Sequence, residues 1–145
     1  MAPKSATKGK YEFLVGTNGP NGQIVFAPAQ LRTRVQIWNQ SGHRHCFKVH
    51  CTDNDVFELR PVSGVIDADE RVVVRLRLLV PADSAAAKRR PHRLAVHHIP
   101  APDGSNAWAA WDAHEGRPDG SGYYDIRFPD QRPTQGADAP ADQAR

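Results

Sequence analysis

At 145 residues the chain is long enough for one domain with a real core and too short for two. Its net charge of +3 and 39% hydrophobic content exclude both the concentrated basic run of a nucleic-acid-binding protein and the composition of a membrane-embedded one. A mean hydropathy of −0.60 indicates that part of the length lies outside a packed core.

The opening MAPKSATKGK is small and basic but lacks the apolar stretch of an export signal. No apolar run approaches the ~20 residues of a membrane span, so neither export nor membrane insertion is expected. Residues 1–10 read as a basic flexible tail, and the closing DQRPTQGADAPADQAR (130–145) as a disordered polar one. Neither segment can bury enough apolar surface to offset its ordering entropy.

Between the tails the chain reads as strands. YEFLV (11–15) comes first and is broken by GTNGPNG, rich in turn-forming pairs. IVF (24–26) follows, then LRTRVQIW (31–38), where Leu31, Thr33, Val35 and Ile37 share a face. NQSG (39–42) is a turn. In HCFKVHC (45–51), Phe47, Val49 and Cys51 are expected inward, with His45, Lys48 and His50 mostly outward. VFEL (56–59) stops near Pro61, which cannot donate to a ladder. Arg-Pro and Ser-Gly (60–64) then read as a kinked connection, with Pro61 fixing φ and Gly64 permitting a backbone that a side chain would block.

RVVVRLRL (71–78) alternates. Val72, Val74, Leu76 and Leu78 take one side, and Arg71, Arg75 and Arg77 take the other with Val73. DSAAAKR (83–89) has the composition of one helical turn, with Asp83 or Ser84 as N-cap. HRLAVHHI (92–99), a segment around AWAAW (107–111) and YYDIRF (123–128) complete the strand candidates. Short strands separated by Gly, Pro, Asn and Asp turns argue for an all-β sandwich, with a closed barrel as the alternative.

The chemistry-bearing residues do not assemble into a catalytic set. Cys46 and Cys51 are an odd number apart on one strand, which points them to opposite faces and disfavours a disulfide. His43-x-His45-Cys46, with His50 or His97, has no recognised metal spacing and reads as a solvated polar face. Asp67, Asp69 and Glu70 form an acidic turn. No serine sits in a nucleophile elbow, and GTNGPNG lacks the Lys-Ser/Thr of a phosphate loop. No enzyme activity, metal or cofactor is expected.

CFKVHCTDNDVFELRPVSGVIDADERVVVRL resembles the central signature of the major sperm protein (MSP) domain family, which includes nematode sperm cytoskeletal proteins and the VAMP-associated proteins. The Asn39 turn, Phe47-Lys48-Val49, Arg60-Pro61 and Ser63-Gly64 before Val65-Ile66-Asp67 match at family spacing. The likeness extends back through IVFAPAQ (24–30) to the domain start and forward through HRLAVHHIPAP, PDG and Trp111 to the closing YYDIRF, and so covers about residues 11–129. It implies a seven-stranded immunoglobulin-like β-sandwich that binds other proteins and performs no chemistry.

In the VAMP-associated branch, the resemblance implies a basic groove for acidic FFAT-type peptides carrying two phenylalanines. The matching positions are Lys48, His50, Thr52, Arg93 and Ala95. His50 stands where a lysine is usual, Cys51 replaces a threonine, and Ala95 replaces a methionine anchor. The polar end of the chain and the PDG…W…GRPDGSGYYDIRFP segment resemble the sperm branch instead. That branch implies a cytoplasmic, cytoskeletal protein of sperm motility that associates with itself as a homodimer or filament, or with other proteins of its type. Trp108, Trp111, Arg71, Arg75 and Arg77 are candidate interface residues on that reading, and no nucleic-acid partner is expected.

Overall fold

The computed structural model describes residues 13–102 and 104–128. Both expected tails, 1–10 and 130–145, lie outside the described residues, as does the Tyr11–Glu12 start of the first strand. Among those described, nine strands form: β1 (Phe13–Gly16), β2 (Ile24–Val25), β3 (Arg32–Asn39), β4 (His45–Cys51), β5 (Phe57–Arg60), β6 (Ser63–Ile66), β7 (Arg71–Leu78), β8 (His92–Pro100) and β9 (Gly120–Arg127). Two short helices accompany them, α1 (Ala85–Lys88) and α2 (Ala107–Ala113).

The strands build two sheets, ordered β1-β3-β7-β5 and β2-β9-β8-β4-β6. All pairings are antiparallel except the short β2–β9 contact. The result is the expected all-β sandwich. The expected alternation of β7 is observed, with Val74, Leu76 and Leu78 buried and Arg71, Arg75 and Arg77 exposed. These inward residues join Phe26, Val35, Ile37, Phe47, Phe57 and Leu94 in one core between the sheets. Each large side chain that is fully buried there contributes about 1.5–3 kcal/mol of transfer free energy.

Three expectations are corrected. The strand count is nine, not seven, partly because Ser63–Ile66 is a strand of its own and not a mere connection. At Pro61 the chain leaves the four-stranded sheet, where β5 pairs with β7, and enters the other, where β6 pairs with β4. Gly64 is required by space, since its backbone avoids positive φ: a Cβ there would lie 2.8 Å from Phe47 Cε1 on the paired strand.

His45 is the second correction. It shares the parity of Phe47 and is buried, as are His92 and His98, so the histidines do not form one solvated face. The polar surroundings at the end of β3 accommodate it: Ser41 Oγ lies 3.1 Å from His45 Nδ1.

Third, AWAAW is helical. Asn106 caps α2 by accepting from the Ala109 N–H at 2.7 Å. Ala107, Ala110 and Trp111 of the helix pack on a second small cluster formed by Cys46, Val65, Ile99 and Ala101. The two cysteines therefore face opposite sides, Cys46 beneath α2 and Cys51 in the main core, and both are free thiols. The expected turn at 83–89 is α1, capped by Ser84, whose Oγ accepts from the Ala87 N–H at 3.2 Å.

Candidate functional site

The outward positions of β4, β8 and β9 form a grid whose rows are set by strand register. Lys48, His97 and Ser121 make one row, His50, Ala95 and Tyr123 the next. Beyond the end of β4, Thr52 closes a third row with Arg93 and Asp125. The Thr52 N–H donates to the Arg93 carbonyl at 3.0 Å, and the Arg93 N–H donates to Thr52 Oγ1 at 2.8 Å. Thr52 thus extends the pairing of β4 with β8 and holds Arg93 in place.

Both cations lie over aromatic rings. Lys48 Nζ is 4.8 Å from the Trp111 ring centroid, and the Arg93 guanidinium carbon is 5.0 Å from that of Tyr123. Such contacts contribute about 0.5–1 kcal/mol at exposed sites and restrain long side chains that would otherwise sample many rotamers. Neither cation has a carboxylate partner among the described residues. Both keep their charge available to a ligand.

Helix α2 supplies Trp111 from outside the sheet, and several contacts hold it there. Arg44 donates to the carbonyls of Pro102 and Ser105, each at 2.6 Å, and so secures the segment that leads into the helix. Trp111 Nε1–H donates to the Phe47 carbonyl at 3.3 Å, which sets the indole beside Lys48. Trp108, on the same helix, is 75% exposed. The two tryptophans thus have different surroundings: Trp111 belongs to the Lys48 face and Trp108 projects into solvent.

His50 and His97 meet between the cations, with their Nε2 atoms 3.1 Å apart. The other ring nitrogen of His97 is 2.6 Å from Ser121 Oγ, which fixes its orientation. Burial, then the charge of His50 and that of Lys48, push the His97 pKa down. Among the described residues, no cluster of three or more His, Cys, Asp or Glu is placed to hold a metal ion. Desolvation raises the pKa of both cysteine thiols, which keeps them protonated and poorly nucleophilic.

Of the expected residues, the fold brings Lys48, His50, Thr52, Arg93, Ala95 and Trp111 to this one face. Ala95 is buried in the middle row. Arg71, Arg75 and Arg77 lie on the outer face of the opposite sheet, separated from it by the core. Sequence reasoning missed Tyr123 and Ser121, and weighed His97 only as a metal ligand and not as a member of this face. Tyr123 was signalled by the alternation in YYDIRF, but its meeting with Arg93 depends on the register of β8 against β9.

The profile described as the MSP (Major sperm protein) domain matches residues 18–116, more than half of the chain. The chain belongs to the MSP domain family. Vesicle-associated membrane protein-associated protein A of Bos taurus is 31% identical over 122 residues, covering 82% of this chain and 48% of that protein. The Homo sapiens protein of the same name is 30% identical over the same coverage. The chain therefore spans about half the length of the curated relatives it matches. Two Caenorhabditis elegans structures share the fold. SSP-19, an MSP-domain protein like family member, has TM-score 0.60 at 22% identity, over 72% of this chain and 92% of that one. WR4, an MSP family member, has TM-score 0.60 at 20% identity, over 79% and 95%. Domains of this family are protein-interaction modules, and the match places this chain among them. No described helix is long and apolar enough to cross a membrane.

Proposed function

We propose that this MSP domain is an adaptor that binds acidic peptides bearing aromatic residues across the β4–β8–β9 face. The observation that carries the reading is the pair of cations, Lys48 over Trp111 and Arg93 over Tyr123, both without a carboxylate partner among the described residues. They flank the His50–His97 pair, so an extended acidic segment laid across the grid meets a cation at each end. Charge-assisted hydrogen bonds supply the attraction. The exposed face of Tyr123 and the half-buried Trp111 offer apolar surface for the peptide's phenylalanines. The small, buried Ala95 offers little depth for an anchor, and this argues for modest affinity.

Titration of a fluorescent acidic diphenylalanine peptide tests the proposal. Binding is expected to weaken as salt rises, because exposed charges are screened over about 8–10 Å. It is expected to vanish in the Lys48→Glu/Arg93→Glu double variant with the fold intact. Unchanged binding in that variant, or none by the parent chain, would remove the adaptor reading.

A second reading, self-association of the sperm type, draws support from Trp108. A large aromatic side chain 75% exposed on a short, well-capped helix is suited to anchor an interface. Sedimentation across a range of concentrations tests it: Trp108→Ala should abolish any association seen with the parent chain. A strict monomer at every concentration leaves the adaptor reading alone.

A further inference from the structure

The outer face of the four-stranded sheet carries a second concentration of charge, independent of the face just described. Register places Arg34, Arg75 and Arg60 side by side across β3, β7 and β5, with Arg32, Arg77 and Glu58 as the neighbouring row. The strands stand about 4.8 Å apart and the rows about 7 Å apart, so five guanidiniums stem from a patch about two strand spacings wide. Arg71 adds a sixth at the far end of β7, 5.3 Å from the Trp38 ring centroid. Glu58 is the sole carboxylate on the outward positions of these strands, and it pairs with Arg77 at 2.9 Å and Arg60 at 3.3 Å. Arg32, Arg34 and Arg75 are exposed and have no carboxylate partner among the described residues.

Like charges directly opposite each other destabilise a sheet, and threonine or glutamine would serve these exposed positions better. Folding does not account for this array. The guanidinium fork is the side chain best matched to phosphate, and here several forks surround one shallow hollow of about 520 Å³. The rim supplies a second clue. Leu31 and Leu79 are 55% and 42% exposed, and they border the adjoining groove next to Arg32 and Arg77. The Leu78 N–H donates to the Leu31 carbonyl at 2.8 Å, which ties the two segments together.

We propose that this face rests on an anionic phospholipid surface, with the arginines on lipid phosphates and Leu31 and Leu79 in the headgroup–acyl boundary. A basic face edged by exposed aliphatic side chains is the composition of a peripheral membrane contact. An array three strands wide and two rows deep matches a plane of headgroups, whereas an extended acidic peptide would engage one row and leave the other. Single-stranded nucleic acid is held by aromatic rings interleaved with cations, and the Arg34–Arg75–Arg60 and Arg32–Arg77 rows contain none. Because the core separates this surface from the Lys48 face, the two can be occupied together.

The test uses the full chain and sedimentation with vesicles of phosphatidylcholine, alone or mixed with an equal part of phosphatidylserine. Binding is expected to the mixed vesicles only and to fall with salt. At ~1 kcal/mol per arginine near an anionic surface, Arg34→Gln/Arg75→Gln should weaken it about thirty-fold. That variant removes like-charge contacts, so its urea midpoint should not fall. Leu31→Ser/Leu79→Ser should weaken vesicle binding several-fold, while Lys48→Glu/Arg93→Glu, on the other face, should leave the arginine-dependent part in place. The proposal fails if the mixed vesicles are not bound, or if either the arginine or the leucine variant binds like the parent. It also fails if a labelled single-stranded RNA binds more tightly than the vesicles with the same arginine dependence, which would reassign the face to nucleic acid.

Discussion

Acidification should destabilise this domain well before its carboxylates titrate, through His98. That side chain points inward from β8, is 4% exposed, and stacks on Phe13 with ring centroids 4.1 Å apart. Burial, reinforced by nearby His45 and only partly opposed by Asp119, lowers its pKa from 6.5 to about 4. Since the folded pKa lies below the unfolded one, the unfolded chain takes up the proton first. The contribution is fully present above pH ~6.5 and is lost as pH falls toward 4. With these two values the linkage relation gives a loss of about 2 kcal/mol at pH 5 and about 3 kcal/mol at pH 4. That is a large share of the ~5–15 kcal/mol by which domains are stable.

Urea unfolding followed by tryptophan fluorescence, repeated at intervals from pH 7.5 to 4.5, measures it. The matched variant is His98→Leu, apolar and smaller than phenylalanine because the Gly120 backbone crowds the imidazole. Its absolute stability is not the readout. Its stability should be nearly flat down to pH 5, where the parent chain declines. Equal slopes in parent and variant would show that His98 is not the group responsible, and no decline in the parent above pH 5 would refute the burial argument itself.

Gly64→Ala should cost about 1–3 kcal/mol by the same urea assay, because its Cβ would meet Phe47 Cε1 at 2.8 Å in a packed core. A change within error would mean that the Phe47 ring moves aside freely. His50→Lys should raise affinity for the acidic peptide at neutral pH, because it adds a permanent cation between Lys48 and Arg93 where an imidazole now meets His97. Peptide titrations of parent and variant at neutral pH check this, and equal affinities would refute it.

Much of this protein is legible along the chain because period-2 alternation is a local property. Val74, Leu76 and Leu78 had to face away from Arg75 and Arg77, whatever lay beside them, once the segment was extended. Ser84 before three alanines likewise specified a capped turn, since the donor it satisfies is three residues away. The same parity rule, applied strictly, puts His45 inside with Phe47; a composition-based expectation for histidine misplaced it. AWAAW is ambiguous locally. Its helix follows from the Asn106 cap and from a small apolar cluster to sit on, and that cluster gathers Cys46, Val65 and Ile99 from three strands.

What no local pattern could supply is which outward residues become neighbours. That depends on strand order and register, which are set by the burial of a whole core and not by the exposed residues themselves. Lys48 meets Trp111, and Arg93 meets Tyr123, across separations of tens of residues along the chain. Arg34, Arg75 and Arg60 come from three strands, and only the β3-β7-β5 pairing turns three scattered arginines into one continuous row of charge.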